Sequence, residues 1–206
     1  VKCGMVLYMH RFYEKKEGER LLKDAILDYC ARKGDCAGLS DNGALTIARG
    51  SHGKPYLPDR TDIHFSVSHS GGCWACVVGS SPVGIDIEVF DQRAKGRPYS
   101  TIEYKRYMKI AERFFTAEEM EYADRSGFEG FLSIWVRKEA YAKMLGTGIA
   151  EGFRTFSTVS GGEPAKRIGM AEFVDMPPAA GLIGAICVEE PSVIDAFVSM
   201  EEINGR

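Results

Sequence analysis

Seven residues constrain this chain more than any other stretch: Val83-Gly84-Ile85-Asp86-Ile87-Glu88-Val89. Apolar and polar side chains alternate with the period of a β-strand. Val83, Ile85, Ile87 and Val89 therefore point one way and Asp86 and Glu88 the other. A fold that uses this strand must bury one face and accommodate, on the other, two carboxylates about 6.5 to 7 Å apart at the backbone. Adjacent anions repel and have weak strand propensity. Either the face is solvated, or a hard divalent cation such as Mg2+ compensates, binding one or two protein carboxylates together with phosphate oxygens. From the strand alone both readings stand.

A helix downstream offers matching groups. In Ser133-Ile-Trp-Val-Arg-Lys-Glu-Ala-Tyr-Ala-Lys143, the residues Trp135, Glu139 and Lys143 fall at i, i+4 and i+8 and share one face. A plain helix ion pair accounts for Glu139 and Lys143 by themselves. It does not account for an aromatic residue in register with them, and the same geometry would supply a third carboxylate for a metal and a cation for a phosphate. Phe65-Ser-Val-Ser-His-Ser70 then runs into Gly71-Gly72. Hydroxyls, an imidazole and free backbone N–H groups in a tight turn suit phosphate oxygens. A serine hydrolase fits less well, because no orienting acid and no GxSxG elbow accompany Ser68 and His69. His10, His52 and His64 show no ligand spacing and read as structural or exposed.

The rest of the chain bounds the answer. Its 206 residues carry a net charge of −3, with 45% hydrophobic and 27% charged residues, enough to bury a core as one large domain or two small ones. The near-neutral balance argues against a nucleic-acid coat. Gly181 to Val188, among the longest apolar runs, is far short of the ~20 residues a membrane span needs. Lys2 and the apolar run Cys3 to Met9 have the outline of a leader, but His10 and Arg11 follow without a small-residue cleavage site, so a buried first strand is expected. The six cysteines read as thiols of a reducing, cytoplasmic compartment, and Cys73-Trp-Ala-Cys76 as part of a strand rather than a zinc or redox site.

Strands are expected over residues 4–9, 45–48, 63–68, 73–78 and 83–89, and again near 153–159, 167–174, 182–188 and 196–200. Helices are expected from about Glu17 to Arg32 and from about Glu129 to Leu145, with a capping box at Thr116-Ala-Glu-Glu119 before the second. Ser80-Ser-Pro82 breaks the pattern and sets a boundary, giving an N-terminal lobe of 1–82 and a C-terminal lobe of 83–206. Both halves read strand, helices, strands, an order that raises internal duplication as an idea.

Taken in order, Gly50 with Gly53-Lys54-Pro55, Phe65-Ser-Val-Ser-His-Ser70, Gly84-Ile-Asp-Ile-Glu88, Phe115-Thr116 and Trp135-Val-Arg-Lys-Glu-Ala-Tyr-Ala-Lys143 resemble the 4′-phosphopantetheinyl transferases. The likeness is to the larger, two-lobed, surfactin-synthetase-activating class. It implies an α+β fold of two similar lobes related by a pseudo-two-fold, each a small antiparallel sheet with helices, with coenzyme A between them. It further implies an enzyme that moves phosphopantetheine from coenzyme A to a serine of an apo acyl-, peptidyl- or polyketide carrier protein and releases adenosine 3′,5′-bisphosphate. By the same resemblance Asp86, Glu88 and Glu139 hold Mg2+. Glu139 also takes the serine proton, Lys143 serves the leaving phosphate, and Lys54, Ser68 and His69 bind the nucleotide. A monomer is expected, with no nucleic-acid or membrane partner.

Two departures stand out. The first lobe is short, and no basic cluster for the 3′-phosphate is clearly placed; Lys15, Lys16 and Arg20 are the candidates, Arg20 foremost. The stretch from Phe90 to Arg113 is long and basic. From Lys105 onward it reads as a helix presenting Lys105, Arg106 and Lys109, a solvated segment or a dock for an acidic carrier. The rival functions are a Mg2+-dependent phosphohydrolase and an inactive homologue that only binds coenzyme A or carriers.

Overall fold

The computed structural model describes residues 3–12, 14–35, 45–90, 102–148, 152–176, 179–190 and 192–204. The first half consists of β1 (Cys3–Arg11), α1 (Gly18–Lys33), β2 (Ala48–Arg49), β3 (Pro55–Tyr56), β4 (His64–Ser70) and β5 (Cys73–Gly79). The second begins with β6 (Val83–Val89), α2 (Ile102–Phe114) and α3 (Ala117–Leu145). Next come β7 (Val159–Ser160), β8 (Glu163–Pro164), β9 (Arg167–Ile168) and β10 (Ala171–Asp175), and finally β11 (Leu182–Val188), β12 (Ser192–Ser199) and α4 (Met200–Asn204).

The architecture is α+β. One four-stranded sheet has the order β12-β1-β5-β4 and a second the order β6-β11-β10-β9. Strand alternation explains how they stack. Met5, Leu7, Ala75 and Val77 of the first sheet meet Val83, Ile85, Ile87, Ile186 and Val188 of the second in one core. The opposite faces are covered by helices. Val6, Tyr8, Trp74 and Cys76 pack on Leu21, Ala25 and Ile26 of α1. Ala171, Phe173, Ala185 and Cys187 pack on Val136, Ala140 and Met144 of α3. Burying each large apolar side chain at these interfaces contributes about 1.5–3 kcal/mol. None of the helices among the described residues is long and apolar enough to cross a membrane.

The sheets depart from the expected lobes at one place. The second sheet is antiparallel throughout, but in the first β1 pairs in parallel with β12, from Cys3↔Ser192 to Met9↔Ser199. Residues 192–199, which follow the expected boundary at 82, therefore cross back to the first sheet. The reason is pairing: β5 satisfies one edge of β1, and β12 covers the other edge of a strand whose Leu7 and Tyr8 are fully buried.

Three local expectations also change. Phe153 to Thr155 is a 3-10 turn rather than a strand, because the carbonyls of Phe153 and Phe156 accept from Lys138 instead of from a neighbouring strand. The strand expected over 167–174 breaks at Gly169-Met170 into β9 and β10. The helix expected from Glu129 begins earlier, at Ala117. The capping box at Thr116 and Glu119 starts it, and Gly127, at φ 72° and ψ −159°, kinks it where only glycine is unstrained.

Candidate active site

Gly84 decides how closely α3 lies on β6. A Cβ at this position would stand 2.0 Å from the Ala140 carbonyl oxygen and 2.5 Å from the Met144 nitrogen. Its absence lets the helix backbone touch the strand, which brings Glu139 and Lys143, the residues before those two contacts, beside Asp86. Lys143 Nζ donates to Asp86 Oδ1 at 2.7 Å and to the Val67 carbonyl at 3.4 Å. Asp86 and Glu139 are each only 6% exposed, so the solvated-face reading of the strand fails at Asp86.

Three carboxylates and one ammonium leave this site electrically unbalanced. Burial, then the negative charge of Asp86, pushes the Glu139 carboxyl up to about 7, with Lys143 opposing. Burial likewise raises Glu88 against the pull of its hydrogen bond from Ser70. Both contacts to Asp86 fall on Oδ1, and its buried Oδ2 has no hydrogen-bond partner. Among the described residues no three His, Cys, Asp or Glu side chains already converge on one point. The donor chemistry nevertheless fits a hard divalent cation: the oxygens are carboxylates, burial and the charge of Asp86 disfavour the ionised forms of Glu88 and Glu139 when no cation is bound, and one buried oxygen is orphaned.

Above these residues lies a cleft of about 850 Å³, walled by the start of α1, the β2–β3 hairpin, β4 and the end of α3. Glu139 and Lys143 line it, together with Lys15, Arg49, His52, Lys54 and His69. Lys54 Nζ donates to Met144 O at 2.8 Å and Val83 O at 3.4 Å, tying the hairpin to the end of α3. Burial pulls this ammonium down to about 8. With Lys15, Arg49, Lys54 and Lys143 outnumbering Glu19 and Glu139, the lining favours an anion.

The structure thus gathers Lys54, His69, Glu139 and Lys143 at one cleft, with Asp86 immediately behind Lys143. It does not bring Arg20 there; that guanidinium pairs with Glu17 at 3.1 Å and Asp24 at 3.2 Å on the surface of α1. Lys16 pairs with Glu14. Arg49 and His52 are the lining residues that sequence reasoning missed, since a hairpin of two-residue strands has no periodicity to detect. The Ser68–Gly72 stretch also differs from its reading as a phosphate turn. The Ser68 and Ser70 hydroxyls face β6, and Gly71 packs against Val89, where an added Cβ would stand 2.6 Å from the valine Cβ. Trp135 lies outside the lining, packed with Phe114 and Phe153.

A cation-rich cleft with a raised carboxyl and a neighbouring ammonium at its floor has the chemistry to hold phosphate groups and to move a proton beside them. The family model of the 4′-phosphopantetheinyl transferase superfamily (ACPS) matches residues 82–176 of the chain. The chain is 35% identical over 154 residues to a 4′-phosphopantetheinyl transferase of Bacillus subtilis, covering 71% of this chain and 61% of that protein. It is 32% identical over 155 residues, with the same coverage, to 4′-phosphopantetheinyl transferase Sfp of Bacillus subtilis strain 168. With 4′-phosphopantetheinyl transferase HetI of Nostoc it shares 35% identity over 124 residues, 56% of this chain and 48% of that protein. The chain spans about three fifths of the length of the first two relatives.

Proposed function

We propose that this protein transfers the 4′-phosphopantetheine group of coenzyme A to a serine of an apo acyl-, peptidyl- or polyketide carrier protein. The observation that carries the reading is the placing of Glu139, raised to about 7, beside Lys143 at the floor of a basic cleft. A carboxyl near neutrality is matched to taking a proton from a hydroxyl. Glu139 removes the serine proton, the serine oxygen forms a bond to the β-phosphorus of coenzyme A, and the bond from that phosphorus to the bridging oxygen breaks. The leaving group is adenosine 3′,5′-bisphosphate. Lys143 stabilises the charge that develops on it. Asp86, Glu88 and Glu139 are the residues that would hold Mg2+, which when bound polarises the pyrophosphate oxygens.

Lys54 and His69 serve the nucleotide side, and Lys15 and Arg49, rather than Arg20, are the cations available in the lining for its phosphates. For the carrier, α2 forms from Ile102 to Phe114 and its Lys109 is exposed; the side chains of Lys105 and Arg106 lie outside the described residues, as do Arg93, Lys95 and Arg97. In this reading α2 docks the acidic carrier, and the enzyme works in the cytoplasm as a monomer. The test is incubation with coenzyme A, Mg2+ and a panel of apo carriers, read by intact mass. Addition of one phosphopantetheine group is expected. Consumption of coenzyme A with unmodified carriers would establish a hydrolase instead, and binding without turnover an inactive homologue.

A further inference from the structure

β4 and β6 are edge strands of different sheets, yet they run side by side with a constant offset. Ser66 Oγ accepts from Ile85 N at 3.1 Å, Ser68 Oγ from Ile87 N at 3.3 Å and Ser70 Oγ from Val89 N at 3.0 Å. Serine hydroxyls thus replace the carbonyls of a missing strand and satisfy the outward N–H groups of β6. That use occupies an acceptor site on each hydroxyl and leaves its single proton to be donated elsewhere. Ser68 gives it to Asp86 Oδ1 at 2.8 Å, and Ser70 to Glu88 Oε2 at 2.7 Å. Beside Ser66 the corresponding residue is Gly84, which has no side chain to receive one.

We infer that Ser68 and Ser70 are positioning residues that fix the carboxylates of Asp86 and Glu88 for a divalent cation, Ser66 being part of the seam alone. The inference rests on the cation-holding role given to these acids in the proposed transferase, and it reassigns Ser68 from the nucleotide to the acid behind it. Each carboxylate is pinned by one named oxygen. At Asp86 the hydroxyl and Lys143 both take Oδ1, so Oδ2 is held in a set orientation with its lone pairs uncommitted. A carboxylate hydrogen-bonded in this way loses less rotational freedom when it binds a metal, and loss of such an outer partner typically weakens affinity about 10- to 100-fold.

The test uses the whole chain and Mn2+ alone, followed by loss of the free-ion electron paramagnetic resonance signal, with the thermal midpoint of each variant measured alongside. Ser68→Ala and Ser70→Ala are expected to weaken Mn2+ binding about tenfold or more. Ser66→Ala, which removes the same kind of seam contact, should change it less than about twofold. Ser70→Thr keeps a hydroxyl at a half-buried position and should restore binding. If the three alanine variants weaken Mn2+ equally, or in proportion to their thermal midpoints, the serines only join the sheets and the inference falls. A wild-type chain that binds no Mn2+ overturns it as well. Differential Mn2+ binding in a chain that modifies no carrier sustains the positioning role and removes the transfer reading instead.

Discussion

Lys138 and Glu139 are neighbours on α3 and serve opposite kinds of site. Lys138 is fully buried and so is its partner Glu119, at 2.9 Å. Every group in that cluster finds a partner: Lys138 also donates to the Phe153 and Phe156 carbonyls and lies 4.3 Å from the Phe156 ring centroid. Glu119 accepts from the Thr116 nitrogen, the Thr158 nitrogen and the Thr158 hydroxyl. One residue further on, Glu139 faces Asp86, Glu88 and a single ammonium, and an oxygen is left over. A buried ion pair with complete hydrogen bonding organises structure, here the two arms of a kinked helix and the turn beside them. A buried cluster with surplus charge is unstable by itself and is suited to bind what it lacks. Charge balance, more than burial, separates the two.

The largest expected effect breaks the unbalanced cluster. Asp86→Ala should reduce carrier modification on the order of a thousandfold, the several kcal/mol that a polarising cation supplies, with the fold intact by circular dichroism. Full rate at low Mg2+ would show that these acids hold no metal. Breaking the balanced cluster should do the reverse: Lys138→Met strands the Glu119 charge and should cost about 3–5 kcal/mol in urea unfolding. Adding Glu119→Gln should recover part of that loss, since replacing both charges removes the stranded one. Activity per folded molecule should change far less than in Asp86→Ala.

Stability against pH sharpens the contrast. Because Glu139 is raised from 4.5 to about 7, its contribution is fully present below pH 4.5 and is lost as pH rises through 7. Glu139→Gln should therefore stabilise the metal-free chain at pH 8 by up to about 3 kcal/mol and do little at pH 4, while slowing transfer no more than Asp86→Ala does. Equal stabilisation at both values would mean that the shift is absent. Lys143→Met is expected to lower kcat about 10- to 100-fold with coenzyme A affinity largely kept. Since Lys143 holds Glu139 down, the acid limb of its rate profile should also move to higher pH. Equal loss in kcat and affinity would reduce Lys143 to a phosphate ligand. The smallest effect lies outside both clusters. Reversing Lys105 and Lys109 to Glu should raise KM for the carrier several-fold at low salt, less at high salt, and spare KM for coenzyme A.

Much of this site was legible locally. β6 spans the residues its alternation marked, α3 ends at Leu145, and Glu139 and Lys143 share the face their spacing required. Those features follow from side-chain period and capping, which act over a few neighbouring residues. The α+β class and the family motifs were legible for the same reason, each being a short run in a fixed order. What the sequence by itself determined is thus which groups stand together on one strand face and one helix face. Only the tertiary structure decided what those faces meet. The seam joins Ser68 to Ile87 across 19 residues, Lys138 finds Phe156 across 18, and Lys143 finds Asp86 across 57. β12 reaches β1 from the far end of the chain, and Arg49 reaches the cleft on a hairpin too short to show a pattern. Such partners are selected by packing and by the need to satisfy buried polar groups, and neither acts along the chain.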